Sequence, residues 1–290
     1  MPLRFCSQKT TSGVRFALWR PAQQMRYGEE WASRLNSRPK VSACVAAFQG
    51  ERFITQQLHS ILAQLAADDE IIVVDDASTD GTSSKLAALQ DPRLHVIRNA
   101  KNQGILRSFE TALSRSSGEI VFLSDQDDLW LPNKVQVVLD VFARDPDLML
   151  VASDATLIDE DGTKIGDSFY ARRGRFRAGL WSNILIGKFH GCTMAFRSTL
   201  LQSALPFPPA TEVHHDTWIG CINALIGGKT EYIAEPLVAY RRHSSNVTGR
   251  IRLSAQTRFR VRYHLVLGLL LFCLKRARSA PRFRWRGSWS

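Results

Sequence analysis

Along residues 41–155 short apolar runs alternate with segments whose apolar positions recur every three or four residues. The stretches 41–48 (VSACVAAF), 70–76 (EIIVVDD), 94–99 (LHVIRN), 119–125 (EIVFLSD) and 148–155 (LMLVASDA) read as five strands. After the first, Ile54, Leu58, Ile61, Leu62 and Leu65 fall at helical spacing. Ser78 or Thr79 is expected to cap the helix behind the second strand, another helix begins near Ile105, and Pro132 falls in the first turn of the next. Strands without polar alternation, separated by amphipathic helices, predict an α/β fold with a parallel sheet covered on both faces.

Beyond Gly162 the rhythm loosens. A basic loop at 171–177 (ARRGRFR) leads to a helix, then to a strand-like 191–197 (GCTMAFR) and the proline-rich 206–216 (PFPPATEVHHD). A helix near 216–226 and a strand at 236–243 (PLVAYRRH) complete the pattern. No internal repeat is visible, and residues 1–40 and 250–290 read as basic extensions of a domain spanning 41–249.

Charge sharpens that division. The net charge of the 290 residues is +11, but residues 1–40 hold 8 Lys/Arg against 2 Glu, and residues 250–290 hold 11 Lys/Arg and no acid. The body between them carries 19 basic and 25 acidic residues. An acidic body with basic ends argues against nucleic acid as partner and for flanks that touch an anionic surface. Residues 265–274 (LVLGLLLFCL) are half the length of a spanning helix and are crowded by arginine, as in a helix lying at a membrane interface. Cys6, Cys44, Cys192, Cys221 and Cys273 show no paired spacing, so free thiols in a reducing compartment are expected. No apolar run before residue 40 has the form of a secretory signal.

The chemistry gathers at strand ends. In an open α/β sheet ligands bind beyond the carboxyl ends of the strands. There the first strand ends at Phe48, the second at Asp75 and Asp76, and the fourth at Asp125, Asp127 and Asp128. Like charges about 4 Å apart repel by roughly 4 kcal/mol at an effective dielectric near 20. The cluster therefore needs a cation, a set of arginines or the water around an ordinary turn. Oxygen donors of this kind suit Mg²⁺ or Mn²⁺, which also bind diphosphates. An aromatic face beside a carboxylate suits a nucleobase. Taken singly, each feature is a turn or a core residue; three on successive strand ends of one sheet point to a site.

The segments VSACVAAFQGERFITQQLHSIL, EIIVVDDASTDGT, NQG, SDQDDLW, HHDTW and YRRHSSNVTG stand in the order and spacing of the family 2 glycosyltransferases, which residues 41–249 resemble. The last three segments are most similar to the bacterial rhamnosyltransferase-like branch. The resemblance implies a GT-A-type nucleotide-diphospho-sugar fold, with a mixed, mainly parallel sheet and helices on both faces. It implies an inverting transfer from a dTDP-, UDP- or GDP-sugar, rhamnose being one candidate sugar, to a cell-surface polysaccharide or lipid-linked glycan. The reaction would run in the cytoplasm, at the inner face of a bacterial plasma membrane.

Carried over by position, Phe48 and Asp76 would hold the base with Glu51 and Asp75 nearby. Asn102, Gly104 and Arg107 would approach ribose and diphosphate. Asp125 would lie on the ribose side of a DxD element and share the metal with Asp127, with Asp128 helping through water. Asp216 would be the catalytic base. Arg241, Arg242 and His243 would close over the phosphates, His243 also standing as a metal ligand. Gln49, where the family usually has Asn, receives no role. Trp130, Trp218, Cys44 and Cys221 read as packing residues, and at least one of His214 and His215 as structural. Arg172, Arg173, Arg175 and Arg177 form a basic loop in the acceptor-facing half. Two rivals remain. A phospho-receiver domain leaves VSACVAAF and HHDTW without a task. A non-catalytic nucleotide-sugar binder needs no Asp216.

Overall fold

The computed structural model describes residues 38–171, 176, 178–187, 189–210, 212–244, 246 and 254–279. Arg172, Arg173, Arg175 and Arg177, with residues 1–37, 247–253 and 280–290 of the basic ends, lie outside them. The chain divides into two units, Met1–Arg38 and Pro39–Ser290, and every strand and helix described belongs to the second.

Among the described residues nine strands form one sheet: β1 (Val41–Ala47), β2 (Glu70–Asp75), β3 (Leu94–Arg98), β4 (Ile120–Asp125), β5 (Leu129–Trp130), β6 (Leu148–Ile158), β7 (Lys164–Gly166), β8 (Met194–Arg197) and β9 (Lys229–Arg241). The helices are α1 (Ile54–Leu62), α2 (Thr82–Ala88), α3 (Ile105–Arg115), α4 (Lys134–Arg144), α5 (Leu180–Ile186), α6 (Leu201–Ala204), α7 (His215–Leu225) and α8 (Ala255–Ser279). The sheet order is β3-β2-β1-β4-β8-β6-β9-β5, with β7 beside β6. The chain winds outward through β1, β2 and β3, then returns to place β4 on the other side of β1. That reversal opens a crevice beyond the carboxyl ends of β1 and β4.

The first four strands are parallel. β8 runs antiparallel to both β4 and β6, while β9 lies parallel to β6 and antiparallel to β5. The sheet is therefore mixed.

The strand interiors are apolar on both sides because both sides are covered. Val41, Ala43, Val45, Ile71, Val73 and Phe122 pack against Ile54, Leu58 and Ile61 of α1 and Val135, Val138 and Phe142 of α4. Cys44, Ile72, Val74, Val121 and Leu123 face the other way, onto Leu106 and Phe109 of α3, Trp218 and Ile219 of α7, and Leu265 and Leu269 of α8. Trp130, Trp218, Cys44 and Cys221 are buried, as their type predicts. Cys44, Cys192, Cys221 and Cys273 are free thiols.

Several boundaries differ from the sequence reading. α2 starts at Thr82 behind Gly81, so neither Ser78 nor Thr79 caps it. Instead Asp80 accepts the Thr82 amide at 3.0 Å and Glu51 that of Gly81 at 3.0 Å. α4 begins after Asn133, which takes a left-handed backbone (φ 65°), leaving Pro132 outside its first turn. Residues 191–193 form a short 3₁₀ turn and only Met194–Arg197 is strand. β9 starts at Lys229 rather than near 236, because β6 offers a partner along most of its length, with register shifts that admit Pro236 opposite Asp154.

Candidate active site

A cavity of about 660 Å³ occupies the crevice and is lined by Phe48, Asp76, Asn102, Gly104, Asp125, Asp127, Asp216 and His243, among others. Local chemistry sets each of these in place.

Asp76, buried at the end of β2, accepts hydrogen bonds from Asn99 Nδ2 (2.7 Å), the Gln103 amide (2.8 Å) and the Gly104 amide (2.8 Å). It thereby folds the 99–104 loop against the cavity, with Asn102 Nδ2 donating to its carbonyl at 3.4 Å. Gly104 has φ 84° and a Cβ there would meet nothing within 4 Å, so the backbone conformation, not space, calls for glycine.

Phe48 is 44% exposed on the cavity wall. Its backbone is clamped by Gln126: the Phe48 amide donates to Oε1 at 2.8 Å, and Nε2 donates to the Phe48 carbonyl at 2.9 Å. Any Cβ at Gly50 would lie 2.4 Å from that Oε1. Gln126 is a positioning residue that the sequence reading missed. The available signal was an amide, able to donate and accept, between the two acids of the DxD element. Gln49, with φ 52°, accepts the Thr79 and Asp80 amides and so fixes the neighbouring turn.

Burial, then the charges of Asp127 and Asp216, push the Asp125 carboxyl up to about 7. Asp127 Oδ2 lies 2.7 Å from His243 Nε2 and 3.4 Å from Asn246 Nδ2. Asp128 does not reach the cavity as the sequence reading expects. It is fully buried, accepts the Arg241 amide at 2.9 Å, and is pushed well above the carboxylate range by burial and then by Asp127 and Asp125. Lys134 supplies a fixed counter-charge, and it is a second residue the sequence reading missed. It is buried, donates to the Cys192 carbonyl at 2.8 Å, sits 4.6 Å from the Trp130 ring and is pulled down to about 8 by burial.

The donor set fits a hard divalent cation: Asp125 and Asp127 present oxygens to one cavity, with the His243 imidazole against Asp127. Asp125, His190 and Cys192 also bring ligand atoms within 4.8 Å of one another. Burial holds the Cys192 thiol above its usual range, and a hard cation that binds diphosphates takes oxygen donors in preference to a thiol. The oxygen set is therefore preferred.

Asp216 occupies the first turn of α7, where the helix N-terminus favours an anion. Its Oδ1 accepts the Thr217 amide at 2.5 Å, and among the described residues no hydrogen bond reaches Oδ2. Both neighbouring histidines line the cavity. His214 is exposed. His215 is buried and stacked on Phe109 at 4.0 Å, with its Nε2 unpartnered, and burial pulls it down to about 4. Of the two, His215 is the one packed into the core.

Five predicted contacts do not face the cavity. Glu51 turns to the start of α2. Asp75 is buried, accepts the Ser78 amide at 3.0 Å, bonds Ser83 and lies 3.8 Å from Arg98 Nε. Arg107 pairs with Glu110 and donates to the Pro208 carbonyl at 2.7 Å. Arg242 is exposed, its amide bonded to Ile158 at 2.8 Å. Arg241 is buried beneath the DxD segment. It donates to the carbonyls of Asp127 (2.9 Å), Asp159 (3.3 Å) and Glu160 (2.9 Å) and to Gln56 Oε1 (3.0 Å), with Phe53 4.8 Å away. For Glu51, Asp75, Arg107 and Arg241 a nearer partner within the fold captures the charge.

An aromatic residue, a buried carboxylate and an acidic cluster at the switch point of a mixed sheet define a nucleotide-diphospho-sugar transferase fold of GT-A type. The family described as Glycosyl transferase family 2 matches residues 42–204, and the chain belongs to it. An uncharacterized glycosyltransferase of Nostoc sp. is 30% identical over 71% of this chain and 66% of its own length. The UDP-Glc:alpha-D-GlcNAc-diphosphoundecaprenol beta-1,3-glucosyltransferase WfgD of Escherichia coli is 30% identical over 36% of this chain. The chain matches 41% of the length of that enzyme. Among solved structures, S. aureus TarS in complex with UDP-GlcNAc superposes with TM-score 0.63 at 16% identity, covering 80% of this chain and 66% of that one. The mannosyltransferase PcManGT of Pyrobaculum calidifontis, in complex with GDP-Man and Mn2+, gives 0.54 at 23% identity, covering 90% and 72%.

Proposed function

We propose that this chain is an inverting, metal-dependent glycosyltransferase that moves one sugar, with rhamnose a candidate, from a dTDP-, UDP- or GDP-sugar to a polysaccharide or lipid-linked glycan. One observation carries the reading: Phe48, Asp76, the Asp125/Asp127 pair and Asp216 line a single cavity large enough for a nucleoside diphosphate and a sugar. Membership of the family and the nucleotide-sugar complexes of its structural neighbours support it. A non-catalytic binder would not call for Asp216, which lines the same space.

In this reading Phe48 stacks on the base, Asp76 and the loop it folds hold base and ribose, and Asn102 and Gly104 flank the diphosphate. Asp125 and Asp127, with His243, hold Mg²⁺ or Mn²⁺, which when bound neutralises the aspartates and the diphosphate together. Asp216 Oδ2 takes the proton of the acceptor hydroxyl as its oxygen attacks the anomeric carbon opposite the leaving diphosphate. The catalytic domain spans 41–249, flanked by basic extensions, of which the C-terminal one packs onto it through Leu265 and Leu269 of α8.

Contact with the inner face of an anionic membrane belongs to the same proposal. Its support is α8, where Phe259, Tyr263, Leu270, Leu271 and Leu274 are exposed among arginines. No helix among the described residues is long and apolar enough to cross a membrane. The test is a panel of UDP-, GDP- and dTDP-sugars with Mn²⁺, scored by nucleoside diphosphate release. No release from any donor, with or without candidate acceptors, would overturn the proposal.

A further inference from the structure

A second cavity, of about 220 Å³, lies where α5, α7 and α8 meet, and Ile186, Phe189, Thr217, Arg258 and Arg262 line it. It shares His190, His214 and Asp216 with the larger cavity, so the two meet at the carboxylate read as the base.

The character of its α8 wall is unexpected. Arg258, Val261, Arg262, Leu265 and Leu269 fall on one helical stripe. Leu265 and Leu269 are buried in the main core, with Gly268 beside Trp218. Arg262, one turn earlier on the same stripe, is half-buried, and Arg258, a further turn out, is exposed. Arg260 and His264, off the stripe, pair with Glu212 at 3.2 and 3.3 Å. Among the described residues no carboxylate pairs with Arg258 or Arg262. Arg262 donates to the Leu185 carbonyl at 3.1 Å, and burial draws its guanidinium below the usual range. Two guanidinium groups, half-buried Arg262 and exposed Arg258, line one cavity and pair with no carboxylate among the described residues, which makes a site for an anion with several oxygens.

We propose that this cavity is an acceptor subsite for a phosphate or diphosphate ester, gripped by Arg258 and Arg262, that brings the acceptor hydroxyl to Asp216. The inference rests on the transferase reading above and adds the chemistry of its acceptor. The ester can be borne by a lipid or by a free molecule. Exposed Trp181, Leu185 and Ile186 on α5 and Phe259 on α8 offer apolar surface beside the cavity for a chain attached to the phosphate.

The test is calorimetric titration of the full chain, free of metal, with inorganic pyrophosphate and with geranyl diphosphate, alongside UDP, GDP and dTDP in Mn²⁺. Omitting metal keeps the diphosphate probes from the Asp125/Asp127 side. The wild type is expected to bind both probes. Each of Arg258→Gln and Arg262→Gln is expected to weaken them about tenfold, the loss of one charge-assisted contact. Nucleotide binding should stay unchanged, and Arg258→Lys should restore part of the loss. Tighter binding of geranyl diphosphate than of pyrophosphate assigns a lipid-borne ester, and equal binding a free one. Absence of binding to the wild type, equal binding to both glutamine variants, or displacement by nucleotide would overturn the proposal. Loss of nucleotide binding alone, with arginine-dependent diphosphate binding intact, would instead overturn the donor reading.

Discussion

Arg241 separates two accounts of the YRRH segment, one in which it closes over the donor phosphates and one in which it holds the protein together. Its side chain makes four hydrogen bonds, to the carbonyls of Asp127, Asp159 and Glu160 and to Gln56. Arg241→Met keeps much of the side-chain bulk against Phe53 but removes all four donors. At about 1 kcal/mol for each bond lost, with the acceptors left poorly satisfied, the cost is about 4 kcal/mol. That agrees with the roughly 3–5 kcal/mol seen when one partner of a buried ionic network is deleted. For a unit of this size it corresponds to a fall of about 8–16 °C in the unfolding midpoint. The assay is thermal and urea unfolding of wild type and variant, with nucleotide titration well below both midpoints. Arg241→Lys should recover little, because one ammonium cannot reach acceptors spread over three segments. A variant that unfolds with the wild type but binds nucleotide diphosphate poorly would refute this reasoning and return Arg241 to the donor site.

Asp216→Asn keeps the Oδ1 acceptor for the Thr217 amide, so the fold and nucleotide affinity should persist while transfer falls about 10²–10⁴-fold; unchanged transfer would remove Asp216 as base. Asp127→Asn should instead weaken Mn²⁺ and nucleotide together in calorimetry, and equal effects of the two variants on binding would contradict the division of roles. Exhaustive chelation should abolish nucleoside diphosphate release, with Mg²⁺ or Mn²⁺ restoring it; full activity in chelator would end the metal assignment. His215 gives a pH signature: its folded value near 4 lies below the unfolded 6.5, so the unfolded chain alone takes up the proton between them. Its contribution is complete above pH 6.5 and is lost as pH falls toward 4, to a total of about 3 kcal/mol. Wild-type unfolding free energy should thus drop more steeply over that window than that of His215→Gln, and parallel slopes would count against it.

Much of the fold is written locally. Val41–Ala47 and Ile71–Val74 are apolar at nearly every position because both sheet faces are covered, and that pattern is readable without the sheet. The same holds for α1 and α3, whose buried residues recur at helical spacing, and for the acids gathered at strand ends. Asp76, Asp125 and Asp127 could be singled out because each falls where a strand ends, a place where the backbone presents a side chain to a crevice, whereas Asp216 was named only by the family resemblance of HHDTW. Which charged groups actually face that crevice was not written there. Glu51, Asp75, Arg107 and Arg241 carry the right chemistry, but each finds a closer partner supplied by another element: the start of α2, the 78–83 turn, the loop at Pro208, the 159–160 turn. Arg241 meets Asp127 only because β9 pairs with β5 across more than a hundred residues. Gln126 and Lys134 gained their roles the same way, one from the approach of β1 to β4, the other from burial against the 191–193 turn. Propensity and periodicity act over a few residues, whereas the partner of a buried charge is chosen by whichever distant backbone the folded chain brings within about 3 Å.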